Sequence, residues 1–264
     1  MTDREKSCRE FERLLDIIGE LREKCPWDKK QTNESLRKLT IEETFELADA
    51  ISSGNDDGIK GELGDLMLHI VFYAKIGSEK GLFSMADVLR GINEKLIYRH
   101  PHVFGEVKVS GATEVESNWE HLKIKEKNGY KPVLSGVPSS MPAIIKANRI
   151  QEKVKGVGFD WEKKEDVWDK VIEEISELKE EIDSNNKDKI ESELGDVMFS
   201  LINASRLYGI DPEAALEKTN RKFIRRFNYL ESRTISRGIS LHDMSLDEMN
   251  EIWEEAKKED QENM

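Results

Sequence analysis

The sequence contains little that would suit a membrane or an oxidising compartment. Its 264 residues include only two cysteines, Cys8 and Cys25, which form no CxxC pair and favour a reducing compartment. No apolar run approaches the length of a membrane span, and the N-terminal stretch MTDREKSCRE does not have the pattern of a signal peptide. We therefore expect a cytoplasmic protein with no membrane partner.

An excess of basic residues is also lacking. The chain has 41 Lys and Arg against 54 Asp and Glu, which gives a formal net charge of −13. A protein that binds duplex nucleic acid presents a basic surface, so we expect no nucleic-acid polymer as partner. The acidic balance leaves open an anionic substrate that arrives with a metal, because a bound cation reverses the local charge.

Proline and aromatic residues are scarce, and the composition favours helices. There are six prolines, aromatics make up 7% of the chain and charged residues 36%. Apolar residues recur at helical spacing near the N-terminus, at Phe11, Leu14, Ile18 and Leu21. No series of strands is apparent, and we interpret residues 103–109 as a loop. The sequence predicts an all-α protein.

Two long segments of the chain repeat each other. The tetrapeptide ELGD stands at Glu62–Asp65 and again 131 residues later, and IEETFELADAI and IEEISELKEEI repeat at the same spacing. Further on, NEKLIYR resembles NRKFIRR, which matches Asn93, Lys95 and Arg99 to Asn220, Lys222 and Arg226. A Gly- and Pro-rich stretch separates the repeats. We predict a first copy at residues 1–127, a linker at 128–141 and a second copy at 142–264.

Acidic residues at helical spacing stand out in both copies. Residues three apart lie on one face of a helix, and a short polar loop favours antiparallel neighbouring helices, so two such pairs can converge. Converging carboxylates need a compensating cation, and oxygen ligands suit Mg²⁺, with Mn²⁺ as a substitute. The predicted metal ligands are Glu43, Glu46, Glu62 and Asp65 in the first copy, and Glu174, Glu177, Glu193 and Asp196 in the second.

These residues have two other interpretations. A single ExxE or ExxD is usually a solvated helix face, but its pairing and repetition favour a metal site. A di-iron centre would need Glu-x-x-His motifs; His69 follows Asp65 by one turn, but Ser200 takes the matching place in the second copy. For His100 and His102, structural hydrogen bonds are favoured over metal ligation.

The pattern EExxE, spacer, ExxD resembles the MazG family of all-α nucleoside triphosphate pyrophosphohydrolases. Segments CPWDKKQT, YRHPHVFGE, NRIQEKVKGVGFDW and RKFIRRF extend the resemblance over nearly the whole chain. It implies tandem helical domains with four-helix-bundle cores, completed by dimerisation into a homodimer. It also implies Mg²⁺-dependent cleavage of nucleoside triphosphates, ATP included, into monophosphate and pyrophosphate, which serves nucleotide-pool housekeeping.

The resemblance further implies which residues act. In the family pattern a lysine four residues before the last Glu holds phosphate, and Lys189 matches it. Independently of the resemblance, Glu173 or Glu174 could accept the proton of the attacking water, and the sequence leaves the choice between them open. Gly58 takes the place of Lys189 in the first copy, so we expect the second copy to be the main catalyst. The residues expected to bind substrate are Lys170, Lys189, Asn220, Lys222, Arg226, Trp253 and Lys257, with Trp253 stacking on the base or serving only in packing.

Two further functions remain as alternatives. A non-catalytic regulatory module would keep the fold and bind nucleotide or a partner protein, but the intact carboxylates in both copies argue against it. A related phosphohydrolase could act on phosphoribosyl-ATP or on dNTPs alone. The tandem layout and the GFDW and HPHVF segments favour the MazG interpretation.

Overall fold

A computed structural model describes residues 1–111, 114–115, 132–236 and 238–262 of the chain. It divides into two compact units, Met1–Trp119 and Glu120–Met264. Helices dominate the described residues, and no strand occurs among them, so the predicted all-α class is confirmed. The predicted linker lies partly outside the described residues, and its remainder carries a 3₁₀ turn at Val133–Gly136.

The helices of the two units follow one another in a similar order. The first unit contains α1 (Asp3–Lys24), α2 (Asn33–Ser53), α3 (Asp56–Glu79), α4 (Met85–Arg99) and the single turn α5 (Pro101–Phe104). The second contains α6 (Ala143–Lys155), α7 (Val167–Ser184), α8 (Lys187–Leu207), α9 (Pro212–Ser236) and α10 (Leu246–Glu262). None of the described helices is both long and apolar enough to cross a membrane.

Each unit is built around a tightly turned helix pair, α2 with α3 and α7 with α8. The backbone at Gly54 and Asn185, which follow α2 and α7, is left-handed, with φ of 66° and 53°. Glycine and asparagine tolerate this conformation best, and it ends a helix. The next residue, Asn55 or Asn186, then caps the following helix with its side chain. The chain therefore reverses within two residues in both units.

A buried apolar cluster holds the first unit together. Ile18 of α1, Leu36 of α2 and Phe72 of α3 are each at most 2% exposed and pack against one another. Burying a side chain of this size stabilises the fold by roughly 1.5–3 kcal/mol. In the second unit, Val167 and Val171 pack against Ala204 across the α7–α8 pair. These clusters fix the rotation of the paired helices, and hence which side chains meet between them.

The fourth helix differs between the units. Proline cannot continue a helix, and α4 ends at Arg99, two residues before Pro101. In the second unit the matching segment has no proline, and α9 runs without a break through its 25 residues, from Pro212 to Ser236. It then packs against α10, so that Leu230, Ile252 and Ala256 are buried. The matching basic residues Arg99 and Arg226 therefore lie at a helix end in one unit and within a helix in the other.

Candidate functional site

The helix pair fixes where the carboxylates stand. The side chain of Asn55 accepts a hydrogen bond from the Gly58 amide at 3.1 Å, and Asn186 accepts one from the Lys189 amide at 3.4 Å. Glu62 and Glu193 each follow their capping asparagine by seven residues, about two helical turns. The sharp reversal brings them opposite the EExxE segment of the preceding helix.

Three carboxylates converge in the second unit. Oxygens of Glu174, Glu177 and Glu193 all lie within 4.8 Å of one another. Glu174 is buried, Glu193 is half-buried and Glu177 is exposed. The fourth predicted ligand, Asp196, lies outside this set, but its charge acts on Glu193. The arrangement brings most of the predicted ligands to one point.

The first unit brings together a different three of the four matching positions. Its set consists of Glu43, Glu62 and Asp65, again with oxygens within 4.8 Å of one another. Glu46 is exposed and lies outside the set, while its charge acts on Glu43. Between them, the two units use all four positions of the repeated motif.

Burial and mutual repulsion raise the pKa of one carboxylate in each unit. Burial, followed by repulsion from Glu177 and Asp196, raises the pKa of Glu193. Burial, followed by repulsion from Asp65 and Glu46, raises the pKa of Glu43. A hard divalent cation would relieve the repulsion on Glu193 and on Glu43. A set of ligands made only of carboxylate oxygens fits Mg²⁺ or Mn²⁺.

A lysine accompanies the carboxylates in the second unit alone. The Lys170 ammonium contacts Glu174 at 2.7 Å and Glu173 at 3.0 Å. These hydrogen bonds, first to Glu174 and then to Glu173, raise the pKa of Lys170. At the repeat spacing, the matching residue of the first unit is Leu39, which is half-buried and packs against the core. The first unit therefore has no cation at this place.

A second lysine shows the same difference. Lys189 forms an ion pair with Glu181 across the α7–α8 pair, at 2.8 Å, and this contact raises the pKa of Lys189. The Lys189 side chain is 60% exposed, so that its amine can turn to a ligand. The first unit has Gly58 here, where an added Cβ would stand 2.6 Å from the Asn55 side chain. The second unit alone has both lysines.

Arg226 of α9 contacts α10. The guanidinium group of Arg226 donates a hydrogen bond from Nε to Asp260 at 2.7 Å. Lys222, one turn earlier on the helix, is exposed, and Asn220 donates to Glu217 at 3.2 Å. Lys222 and Arg226 thus share a face of α9, as their spacing predicts.

An aromatic pair joins α9 to α10. The ring of Trp253 is half-buried, and its centroid lies 5.0 Å from that of Phe223 at an angle of 54°. Phe223 is itself 56% exposed. Lys257, one turn beyond Trp253, contacts Glu254. Packing thus accounts for part of the Trp253 surface, and the rest remains open to a ligand.

Two histidines of the first unit have defined surroundings. His69 is buried, and burial lowers its pKa; it does not belong to the converging set of the described carboxylates. Ser200, its counterpart, donates a hydrogen bond to the Val197 carbonyl. His100 Nδ1 lies 2.7 Å from the Leu96 carbonyl oxygen, a contact that fits the hydrogen-bonding role expected for it.

Sequence reasoning missed three residues that shape the site. Leu39 removes a cation from the first unit, and comparing Lys170 with its counterpart at the repeat spacing would have shown this. Glu181 and Asp260 hold Lys189 and Arg226, but each lies on a neighbouring helix. Such pairings depend on how helices are rotated against each other, and no single-helix pattern shows them.

One protein family matches both copies of the repeat. The family model for the MazG nucleotide pyrophosphohydrolase domain matches the chain twice, at residues 31–104 and 162–230. Each match contains one helix pair and its set of carboxylates.

Several relatives are similar over almost the whole of this chain. The chain is 44% identical to the nucleoside triphosphate pyrophosphohydrolase/pyrophosphatase MazG of Thermotoga maritima, covering 95% of this chain and 97% of that protein. It is 39% identical to the nucleoside triphosphate pyrophosphohydrolase of Escherichia coli K12, covering 95% and 98%. It is also 44% identical to the uncharacterized protein YabN of Bacillus subtilis, and this similarity covers 94% of this chain and 52% of that protein.

Proposed function

The chain belongs to the MazG family, and we propose that the second of its two copies carries most of the catalysis. The protein is a nucleoside triphosphate pyrophosphohydrolase, which converts its substrate to a nucleoside monophosphate and pyrophosphate. One observation carries our assignment of the copies: only the second unit combines converging carboxylates with Lys170 and Lys189. Nucleotide-pool housekeeping in the cytoplasm is the role that we propose.

We infer that Mg²⁺ binds the converging carboxylates. Glu174, Glu177 and Glu193 would hold it, and Asp196, whose charge acts on Glu193, is the candidate fourth ligand. The donor set fits because it consists of carboxylate oxygens, and repulsion from Glu177 and Asp196 adds to the burial that raises the pKa of Glu193. When bound, Mg²⁺ supplies charge neutralisation and Lewis-acid polarisation of the phosphate oxygens.

Cationic side chains hold the rest of the triphosphate in this proposal. Phosphoryl transfer depends mainly on positioning and on neutralising charge, and lysine and arginine supply both. Lys170 now neutralises Glu174, and it can turn to phosphate once a cation takes over that task. The residues that we propose for phosphate and ribose contacts are Lys170, Lys189, Asn220, Lys222, Arg226 and Lys257.

Separate residues are proposed to activate the attacking water and to contact the nucleobase. Glu173 and Glu174 both contact Lys170, and either can accept the proton of the attacking water. Trp253 offers a half-buried aromatic face beside Phe223, on which a base can stack. Stacking accepts any base, so this contact adds affinity without selecting one.

The first copy has a narrower role. It keeps its converging carboxylates, and we propose that it binds a metal ion there. Leu39 and Gly58 leave it without the two lysines that would hold a triphosphate. We therefore expect little turnover from this copy.

A homodimer is the assembly that we propose. Apolar side chains lie exposed beside the carboxylates, at Leu194, Met198, Phe199 and Ile172, with exposed fractions from 42% to 61%. Exposed apolar side chains mark an interaction site where they form one patch. A second copy of the chain would cover it and complete a four-helix core by a symmetric contact.

We expect Mg²⁺ to bind the second unit through Glu177. Titration calorimetry of the full chain with Mg²⁺ should show binding, and Glu177→Ala should remove the part that belongs to the second unit. A ligand that binds only the folded state also stabilises it, by about 2.7 kcal/mol at a hundred times its dissociation constant. The variant should therefore lose part of the Mg²⁺-dependent rise in melting temperature.

A neighbouring carboxylate provides the control. Glu180 is exposed, lies on the same helix three residues later and is outside the converging set. Glu180→Ala should bind Mg²⁺ like the unaltered protein. Equal losses in the two variants, or no binding to the unaltered protein, would contradict the proposed metal site.

A further inference from the structure

The carboxylate of Asp260 bridges two consecutive arginines. One oxygen accepts a hydrogen bond from Arg225 Nε and the other accepts one from Arg226 Nε, both at 2.7 Å. The Asp260 side chain is 12% exposed and the Arg226 side chain 17%, whereas Arg225 is 62% exposed. A charge-assisted contact that is mostly shielded from water fixes its partners more firmly than a surface ion pair does.

The contact leaves the terminal nitrogens of Arg226 available. A guanidinium group has five N–H donors, and Asp260 takes only the one at Nε. Within the described part of the chain, no residue accepts a hydrogen bond from the Arg226 Nη atoms. Two parallel N–H groups in one plane are the geometry that binds a phosphate at two points.

Asp260 also connects the two helices that present the proposed nucleotide contacts. Arg226 and Lys222 share a face of α9. On α10, Asp260 follows Lys257 by three residues and Trp253 by seven, so all three lie on one face. The ion pair therefore joins the helix with the base-stacking candidate to the helix with the phosphate-binding candidates.

We propose that Asp260 is a positioning residue of the nucleotide site, which orients Arg226 so that its two Nη groups face the triphosphate. This inference rests on the proposed role of Arg226 in binding substrate. Asp260 itself touches no phosphate, because two negative groups repel each other. The two arginines hold the pKa of Asp260 at about 2, so its carboxylate stays ionised throughout the usual assay range.

A single substitution separates positioning from simple electrostatics. Asp260→Asn keeps the size of the side chain and removes one negative charge. If Asp260 only reduced the positive potential around the arginines, its neutralisation would strengthen the binding of an anionic nucleotide. If it positions Arg226, binding weakens even though the net charge has become more favourable. The two accounts predict changes of opposite sign.

The test measures kinetics and binding in the full chain. Asp260→Asn should raise the KM for ATP about tenfold or more, since misplacing a positioned group by about an ångström costs up to about a hundredfold. It should likewise weaken the binding of a non-hydrolysable ATP analogue in the presence of Mg²⁺. Asp260→Glu, which keeps the acceptor and the charge, should restore most of the lost affinity. Circular dichroism should show unchanged helical content.

A charge-matched control lies on the same helix. Glu251 is exposed and takes no part in the bridge between Asp260 and the two arginines. Glu251→Gln removes one negative charge, as Asp260→Asn does, and should leave the KM unchanged. Unchanged or tighter nucleotide binding in Asp260→Asn would overturn the proposal. Failure of Asp260→Glu to rescue would do so as well.

Arg226→Ala distinguishes this proposal from the one on which it depends. A higher KM in Arg226→Ala together with no change in Asp260→Asn contradicts only the positioning role. No change in either variant contradicts the phosphate-binding role proposed for Arg226, and the positioning role with it.

Discussion

Glu177→Ala in the second unit should reduce turnover of nucleoside triphosphates by more than about a hundredfold. Removing a residue that only supports a metal ligand already costs 10- to 100-fold, so loss of a ligand should cost more. Glu177 is exposed, and its removal relieves repulsion on Glu193, so the fold should keep its stability. Steady-state release of pyrophosphate measures the first effect, and thermal unfolding without metal measures the second.

The matching substitution in the first unit is the natural control. Glu46 occupies the position of Glu177 in the repeat and is likewise exposed. Glu46→Ala should change turnover by less than about twofold, because the first copy lacks the two lysines. Equal losses in the two variants would show that both copies contribute, and our assignment of the main catalyst would then be wrong.

Giving the second unit the residues of the first should also abolish most of its activity. Lys170→Leu reproduces Leu39, and Lys189→Ala removes the amine that Gly58 also lacks. A hydrogen bond to a charged group contributes about 1.5–3 kcal/mol, so loss of both lysines should reduce kcat/KM by roughly a hundredfold or more. The experiment measures kcat and KM for ATP at saturating Mg²⁺ in the double variant and in each single variant.

Two other lysines test whether charge alone explains this effect. Lys179 and Lys187 lie on the same helix pair and are exposed. Lys179→Leu with Lys187→Ala changes the net charge equally and should keep kcat/KM within about threefold. If the Lys179 and Lys187 double variant loses as much activity as the Lys170 and Lys189 double variant, general attraction of the anionic substrate explains the loss. Specific contacts of Lys170 and Lys189 with phosphate would then be contradicted.

Much of the fold could be predicted from the repeated sequence. A helical period near the N-terminus predicted a helix that the structure places at Asp3–Lys24. The doubled EExxE and ELGD segments predicted two helical copies, and two separate matches of the family model confirm them. The polar breaks between these segments predicted antiparallel helices, and both breaks form the same two-residue reversal.

The side-chain pairings of the site could not be predicted in the same way. The sequence placed eight carboxylates in two sets, but the structure brings together three in each set and leaves out Glu46 and Asp196. Which carboxylate stands aside depends on the rotation of the paired helices, and core residues such as Ile18 and Val171 decide that rotation. Asp260 lies 34 residues from Arg226, and only the packing of α10 on α9 brings them together.

Phosphorus NMR of the reaction products tests the central claim most directly. The full chain is incubated with ATP, once with Mg²⁺ and once with EDTA, and the products are resolved as they form. We predict that AMP and pyrophosphate appear together with Mg²⁺, and that neither appears with EDTA. Formation of ADP and phosphate, or equal turnover in EDTA, would contradict metal-dependent cleavage between the α and β phosphorus atoms.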